Sequence, residues 1–167
     1  MSIFKVINRA DDNVGTLHDR LNYITRASAS RAEYMYGNHV SEWQGYYQMM
    51  QVKLSYGQEE GKAYYHYMLN PDAPDYEVLN DRKLFDVGVQ IADLIANFYG
   101  HYQVVMSVHF DTDPHLHFIA NNIDFMTGER LHLSPMRLGE LKLAVNGILN
   151  EAGLSPVKMY PYENNGQ

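Results

Sequence analysis

Three histidines, His109, His115 and His117, fall within nine residues of the segment HFDTDPHLHFIANN (109–122), with Asp111 and Asp113 between them. Successive side chains of a strand alternate between faces, so His115 and His117 share a face, with Asn121 further along it. DTDP between the flanking apolar runs is turn chemistry. A hairpin there carries His109 across to the other two. Three imidazoles converging from a rigid sheet hold a divalent cation and leave coordination positions open, which is how a catalytic metal is bound.

The elements that must position this cluster alternate between strand and helix patterns. IFKVINR (3–9) reads as a first strand. TLHDRLNYITR (16–26) reads as a helix, with Thr16 and Asp19 resembling a capping box and Leu17, Leu21 and Ile24 forming one apolar stripe. Tyr23 falls off that stripe, which leaves its phenol either partly exposed or directed at something other than the main core. Residues 26–40 show no period and read as a loop. Ser41 is placed as the cap of a helix whose core face is Trp43, Tyr47, Met50 and Leu54. Residues 62–69 read as a strand on which His66 shares a face with Tyr64 and Met68. Residues 80–99 give the clearest helix, stopped by Gly100. QVVMSV (103–108) and LHFIANNIDF (116–125) flank the histidine turn, and LHL (131–133) reads as a further short strand. A last helix is capped by Ser134, with Pro135 at its first position, and SPVKMY (155–160) closes the chain as an edge strand. The order β-α-α-β-α-β-β-β-α-β predicts an α+β fold, an antiparallel sheet with helices packed on its faces.

Composition agrees with one globular unit. The 167 residues, 46% hydrophobic, are enough for a real core. The expected division is a catalytic domain over 1–160 and a polar tail over 161–167. With no cysteine, a metal site must be built from His, Asp, Glu or Asn. No apolar run reaches membrane-spanning length and no signal-peptide pattern is present, so the expected location is cytoplasmic. A net charge of −7 argues against a protein that binds nucleic acid indiscriminately. Fourteen tyrosines supply rings that can stack on unpaired bases.

These segments resemble the N-terminal catalytic domain of a relaxase, a mobilisation nuclease of the HUH endonuclease superfamily in its MobP-like class. His115-Leu116-His117 resembles the motif of two histidines around a large apolar residue. LNYITR (21–26) resembles the motif that carries a nucleophilic tyrosine, KAYYHYMLNPD (62–72) the strand before the long helix, and NNIDFMTGERLHLS (121–134) the stretch after the metal motif. EAGL (151–154) resembles the end of the last helix, so the likeness runs over roughly residues 3 to 160.

The resemblance implies a site- and strand-specific DNA endonuclease that nicks single-stranded or hairpin DNA at a transfer origin during plasmid or transposon mobilisation. A tyrosine attacks the scissile phosphate and leaves a 5′-phosphotyrosine intermediate. A phenol is a weak nucleophile at neutral pH and must be activated. His109, His115 and His117 are the implied ligands of Mn²⁺ or Mg²⁺. Tyr23 is the implied nucleophile, with Tyr34 and Tyr36 as alternatives in the next loop. Asp111 joins it as a catalytic candidate, since Asp111 or Asp113 can orient a histidine through its other ring nitrogen. Asn121 and His66 are further candidates to support the ligands. Lys5, Arg9, Arg20, Arg26 and Arg31 are candidate phosphate contacts. Accessory relaxosome proteins are the other implied partners. Three readings compete: a rolling-circle replication initiator of the same superfamily, a metal-dependent phosphodiesterase that uses water, and a binding module with a structural metal.

Overall fold

The computed structural model describes residues 1–159, so the predicted tail over 161–167 lies outside the described residues. Five strands form one antiparallel sheet: β1 (Ile3–Ile7), β2 (Met35–Asn38), β3 (Tyr64–Asn70), β4 (Val104–His109) and β5 (His115–Asn121). Their spatial order is β1-β3-β5-β4-β2, which puts the second histidine strand at the centre. Among the described residues four α-helices complete the fold: α1 (Val14–Thr25), α2 (Gly45–Ser55), α3 (Asp81–Asn97) and α4 (Pro135–Glu151). The predicted α+β class and the antiparallel sheet are both present.

Alternation along the strands divides the core in two. Leu116, Phe118 and Ala120 of β5 join Val104, Met106 and Val108 of β4 beneath α3 and α4, in the larger cluster. Val105 and Ile119 turn to the opposite face and meet Leu17, Leu21 and Ile24 of α1 and Met49 of α2. The histidines lie on this second face, where the cover is thinner and ends with α1. Gly88 lets α3 approach the sheet closely, because a Cβ there would come 3.0 Å from Leu116 and Met106 side-chain atoms.

Several sequence expectations are corrected. The loop at 26–40 contains a short 3₁₀ turn (Ala32–Tyr34) and the edge strand β2. Gly37 and Asn38 weaken its strand signature, yet Gly37 is required, since a Cβ would meet the Val40 carbonyl oxygen at 2.0 Å. Helix α1 is capped by Asn13, with Thr16 as the third helical residue of the box rather than its start. LHL forms no strand: among the described residues Arg130 makes an isolated bridge to Ile123, and the Leu133 amide donates to the Tyr65 hydroxyl at 3.1 Å. SPVKMY contributes only a parallel bridge from Val157 to Ser2, and its Tyr160 lies outside the described residues.

The largest departure is in α2. The helix starts at Gly45 with no side-chain cap, and its predicted core residues Trp43, Tyr47 and Leu54 are exposed. Its buried stripe is Gly45, Met49 and Lys53. A lysine in a core position violates the apolar pattern from which the helix phase was read. It is accommodated because its ammonium donates to Ala63 O at 2.5 Å, Asn121 Oδ1 at 2.5 Å and Asn122 Oδ1 at 2.9 Å. Burial, and secondarily the Arg130 charge, push the Lys53 pKa down to about 7, and these three acceptors act against that shift. Lys53→Met is therefore expected to destabilise the domain by about 3 kcal/mol, because buried acceptors lose their donor. Urea unfolding checks it; a variant as stable as the parent would show that the lysine contributes nothing.

Candidate metal and tyrosine site

Strand pairing builds the site. His109 lies directly opposite His115, and Ser107 opposite His117, in the β4–β5 ladder. The ring centroids are 4.1 Å apart for His109 and His117, 4.9 Å for His115 and His117, and 5.3 Å for His109 and His115. One nitrogen from each ring lies within 4.8 Å of the others, so the three can share one cation. His109 and His117 are buried and His115 is half-buried, so the cluster opens to solvent on the His115 side.

Hydrogen bonds determine which nitrogen each ring presents. His109 Nε2 lies 2.9 Å from the Ile24 carbonyl oxygen. A carbonyl only accepts, so Nε2 carries the proton and Nδ1 the lone pair. That Nδ1 is buried with no hydrogen-bond partner among the described residues, as expected of a ligand atom. His115 Nδ1 likewise lies 2.9 Å from Asp113 O, which leaves its Nε2 unprotonated and 3.1 Å from His117 Nε2. These donors fit a divalent cation that accepts neutral imidazole nitrogen.

His117 is held from behind by another imidazole. Its Nδ1 lies 2.8 Å from His66 Nε2 on β3. Ligation through His117 Nε2 requires a proton on Nδ1, and His66 Nε2 must then accept it. His66 thus does for His117 what carbonyl oxygens do for the other two. Burial, the leading cause for each, lowers the pKa to about 4 for His66, about 4 for His109 and about 2 for His117. All three stay neutral near pH 7, the form that binds a metal.

Tyr23 reaches this cluster from the last turn of α1. Its ring is 5.6 Å from His109 and 5.7 Å from His117, and the residue is 40% exposed. Arg26 also lies over that ring, 4.0 Å from its centroid. The guanidinium also donates to Tyr23 O at 2.6 Å and to Asp111 Oδ2 at 3.0 Å. The Tyr23 ring therefore packs against two imidazoles and a clamped guanidinium.

The other candidates divide by location. Tyr36 donates to Asp93 of α3 at 2.6 Å, and Tyr34 packs on Phe85 and Phe110, so both belong to the opposite layer. Neither Asp111 nor Asp113 orients a histidine by its carboxylate: Asp111 pairs with Arg26, and Asp113 uses its backbone oxygen. A hairpin that tight puts a carbonyl within reach first. Asn121 shares the histidine face but accepts from Lys53, away from the cluster. Lys5 is on the same face two strands over, across from Met68, which pairs with His117. Arg31 stacks on Phe110 at 4.5 Å near the hairpin, whereas Arg9 hydrogen-bonds through its amide to Asp12 and its charge, like that of Arg20, acts on His66. Arg20 has its Nε buried. Sequence reasoning missed the Ile24 carbonyl, because no residue type advertises a backbone acceptor, and with it Ser107, whose hydroxyl donates to that oxygen.

The family model for the nuclease domain of MobA/VirD2-like relaxases matches residues 23–154. A search of curated proteins returned no match. Among solved structures, the MobM relaxase domain (MOBV; Mob_Pre) bound to 23 nucleotides of plasmid pMV158 oriT DNA, in a Mn-bound crystal, is 14% identical. It has a TM-score of 0.65, with 93% of this chain and 87% of that chain covered. A 22-nucleotide complex of the same domain at pH 5.5 gives 12% identity and a TM-score of 0.64, covering 94% and 89%. A protein from work on vancomycin resistance transfer in Staphylococcus aureus gives 10% identity and a TM-score of 0.60, covering 99% and 93%. At these identities the likeness is one of fold.

His66 supplies the test of the tautomer argument. His66→Phe keeps a ring of similar size but removes the acceptor for His117 Nδ1. Mn²⁺ affinity measured by titration calorimetry is expected to fall about 10- to 100-fold with the fold retained. Unchanged affinity would mean that His66 only fills space.

Proposed function

The chain belongs to the MobA/VirD2-like relaxases, whose nuclease-domain model matches residues 23–154, and from that membership we propose the site chemistry that follows. Tyr23 is the nucleophile that nicks one strand of single-stranded or hairpin transfer-origin DNA. The observation that carries this reading is the packing of the Tyr23 ring, 5.6 Å from His109 and 5.7 Å from His117, beside three convergent imidazoles. The oriT DNA in the MobM complexes supports the substrate class.

The Tyr23 oxygen forms a bond to the scissile phosphorus as the bond from phosphorus to the 3′-oxygen breaks. The phenol loses its proton, and the departing 3′-oxygen gains one. The products are a free 3′-hydroxyl and a 5′-phosphotyrosine. One phosphoester replaces another, so the reverse reaction rejoins the strand. His109, His115 and His117 would hold a divalent cation, which offsets charge on the non-bridging phosphate oxygens and orients the phosphate. The Mn-bound state of the MobM crystals supports Mn²⁺ or Mg²⁺ in this role. Arg26 restrains the Tyr23 ring, so little rotational freedom is lost on the way to in-line attack. Asp111 fixes Arg26. Arg9 and Arg20 lie near enough to His66 for their charges to lower its pKa and are the nearer candidate phosphate contacts, with Lys5 and Arg31 farther out.

The family match favours a mobilisation nuclease over a replication initiator or a water-using phosphodiesterase. Among the described residues no helix is long and apolar enough to cross a membrane. The reaction is placed in the cytoplasm, where transfer-origin DNA resides, with accessory relaxosome proteins to expose the strand.

Tyr23→Phe removes one hydroxyl and keeps the ring packing. It is expected to lower covalent adduct formation with origin DNA by on the order of a thousand-fold or more, as is chelation of divalent ions, while Tyr36→Phe retains activity. Adduct yield on denaturing gels reads all three. Normal yield from Tyr23→Phe would sink the assignment.

A further inference from the structure

A second cavity adjoins the tyrosine site. It has a volume of about 310 Å³ and lies between α1 and the start of α2, with His18, Asn22 and Arg26 on one wall and Trp43, Tyr46 and Tyr47 on the other. That volume is at the low end of the roughly 300–1,000 Å³ typical of small-molecule sites. Its rings are close: His18 to Tyr46 is 4.7 Å and Tyr46 to Tyr47 is 5.4 Å. Trp43 and Tyr47 are 61% and 70% exposed. Residues that a core would use are thus left facing water around a concave surface.

We propose that this cavity receives an unpaired base of the DNA strand that enters the Tyr23 site, and that it sets part of the sequence preference. The inference rests on the relaxase reading and extends it to a named base pocket. Three observations carry it. First, Arg26 lines the cavity and also clamps the Tyr23 ring, so the two sites are continuous. His18, Asn22 and Arg26 recur four residues apart along α1, so the cavity extends about 12 Å from the tyrosine end. That span is within a few nucleotides of the scissile phosphate. Second, every base has a π-face, and aromatic side chains with a flanking guanidinium are what holds it. Third, the side chains of Asn22, Glu42 and Gln44 line the cavity without a hydrogen-bond partner among the described residues. Amide and carboxylate groups read the donors and acceptors of a base edge. Glu42 also repels a phosphate, so the base and not the backbone is the part that enters.

Trp43 is the chain's only tryptophan, so its emission reports this cavity alone. The probe is a labelled, degenerate single-stranded oligonucleotide at low salt with Mn²⁺. Its anisotropy reports binding, and Trp43 emission is followed in the same titration. The expected result is quenching of Trp43 in step with the anisotropy rise, and binding weakened about five-fold or more by Tyr47→Ala. Tyr47 is 70% exposed, and folding of the variant is checked by circular dichroism. Binding with unchanged Trp43 emission, or with Tyr47→Ala at parental affinity, would overturn the base pocket and leave the nuclease reading standing. No anisotropy change at all would remove both.

Discussion

The carbonyl oxygen of Ile24 is where helix and sheet become one site. It sits in the last turn of α1, where carbonyls lack a partner within the helix. The Ser107 hydroxyl and His109 Nε2 both donate to it. One acceptor therefore satisfies the helix end, fixes the tautomer of a metal-ligand candidate and seats the neighbouring Tyr23 over the hairpin. The Leu17, Leu21 and Ile24 stripe holds α1 in the core, so this contact cannot drift without unpacking the second face. Chemistry and stability share the same few atoms.

Electrostatics explains how an acidic chain can handle DNA. The net charge of −7 describes the whole surface. At the site, burial keeps His66, His109 and His117 neutral, and Arg26, Arg9 and Arg20 provide nearby positive charge. As neutral ligands, the histidines would leave the full charge of a bound ion directed at phosphate. Affinity then depends on a few local contacts rather than on a diffuse basic field.

The sequence made the histidine hairpin legible because two signals coincide there, a strand period of two and turn residues between His109 and His115. Tyr23 was legible as the residue that does not fit its helix stripe. The orienting groups were not. Carboxylates beside histidines suggest ligand support, but here Ile24 O, Asp113 O and His66 do that work, and Asp111 holds Arg26. Nor was α2, since a buried lysine with three oxygen partners shifts the helix phase from the apolar reading. Most of these contacts join residues distant in sequence, and the local one, Asp113 O to His115, is a backbone contact; periodicity encodes neither. The misread Trp43 and Tyr47 are among the residues that line the second cavity.

Peptide mapping of the covalent DNA adduct tests the central claim most directly. Trypsin cuts after Arg20 and Arg26 and releases Leu21–Arg26, which contains one tyrosine. After single-stranded DNA from the element that carries its gene is cleaved and trimmed with nuclease, mass spectrometry should find the nucleotide on that peptide, at Tyr23. A nucleotide on the peptide carrying Tyr34 and Tyr36, or cleavage that leaves no peptide modified, would contradict the account.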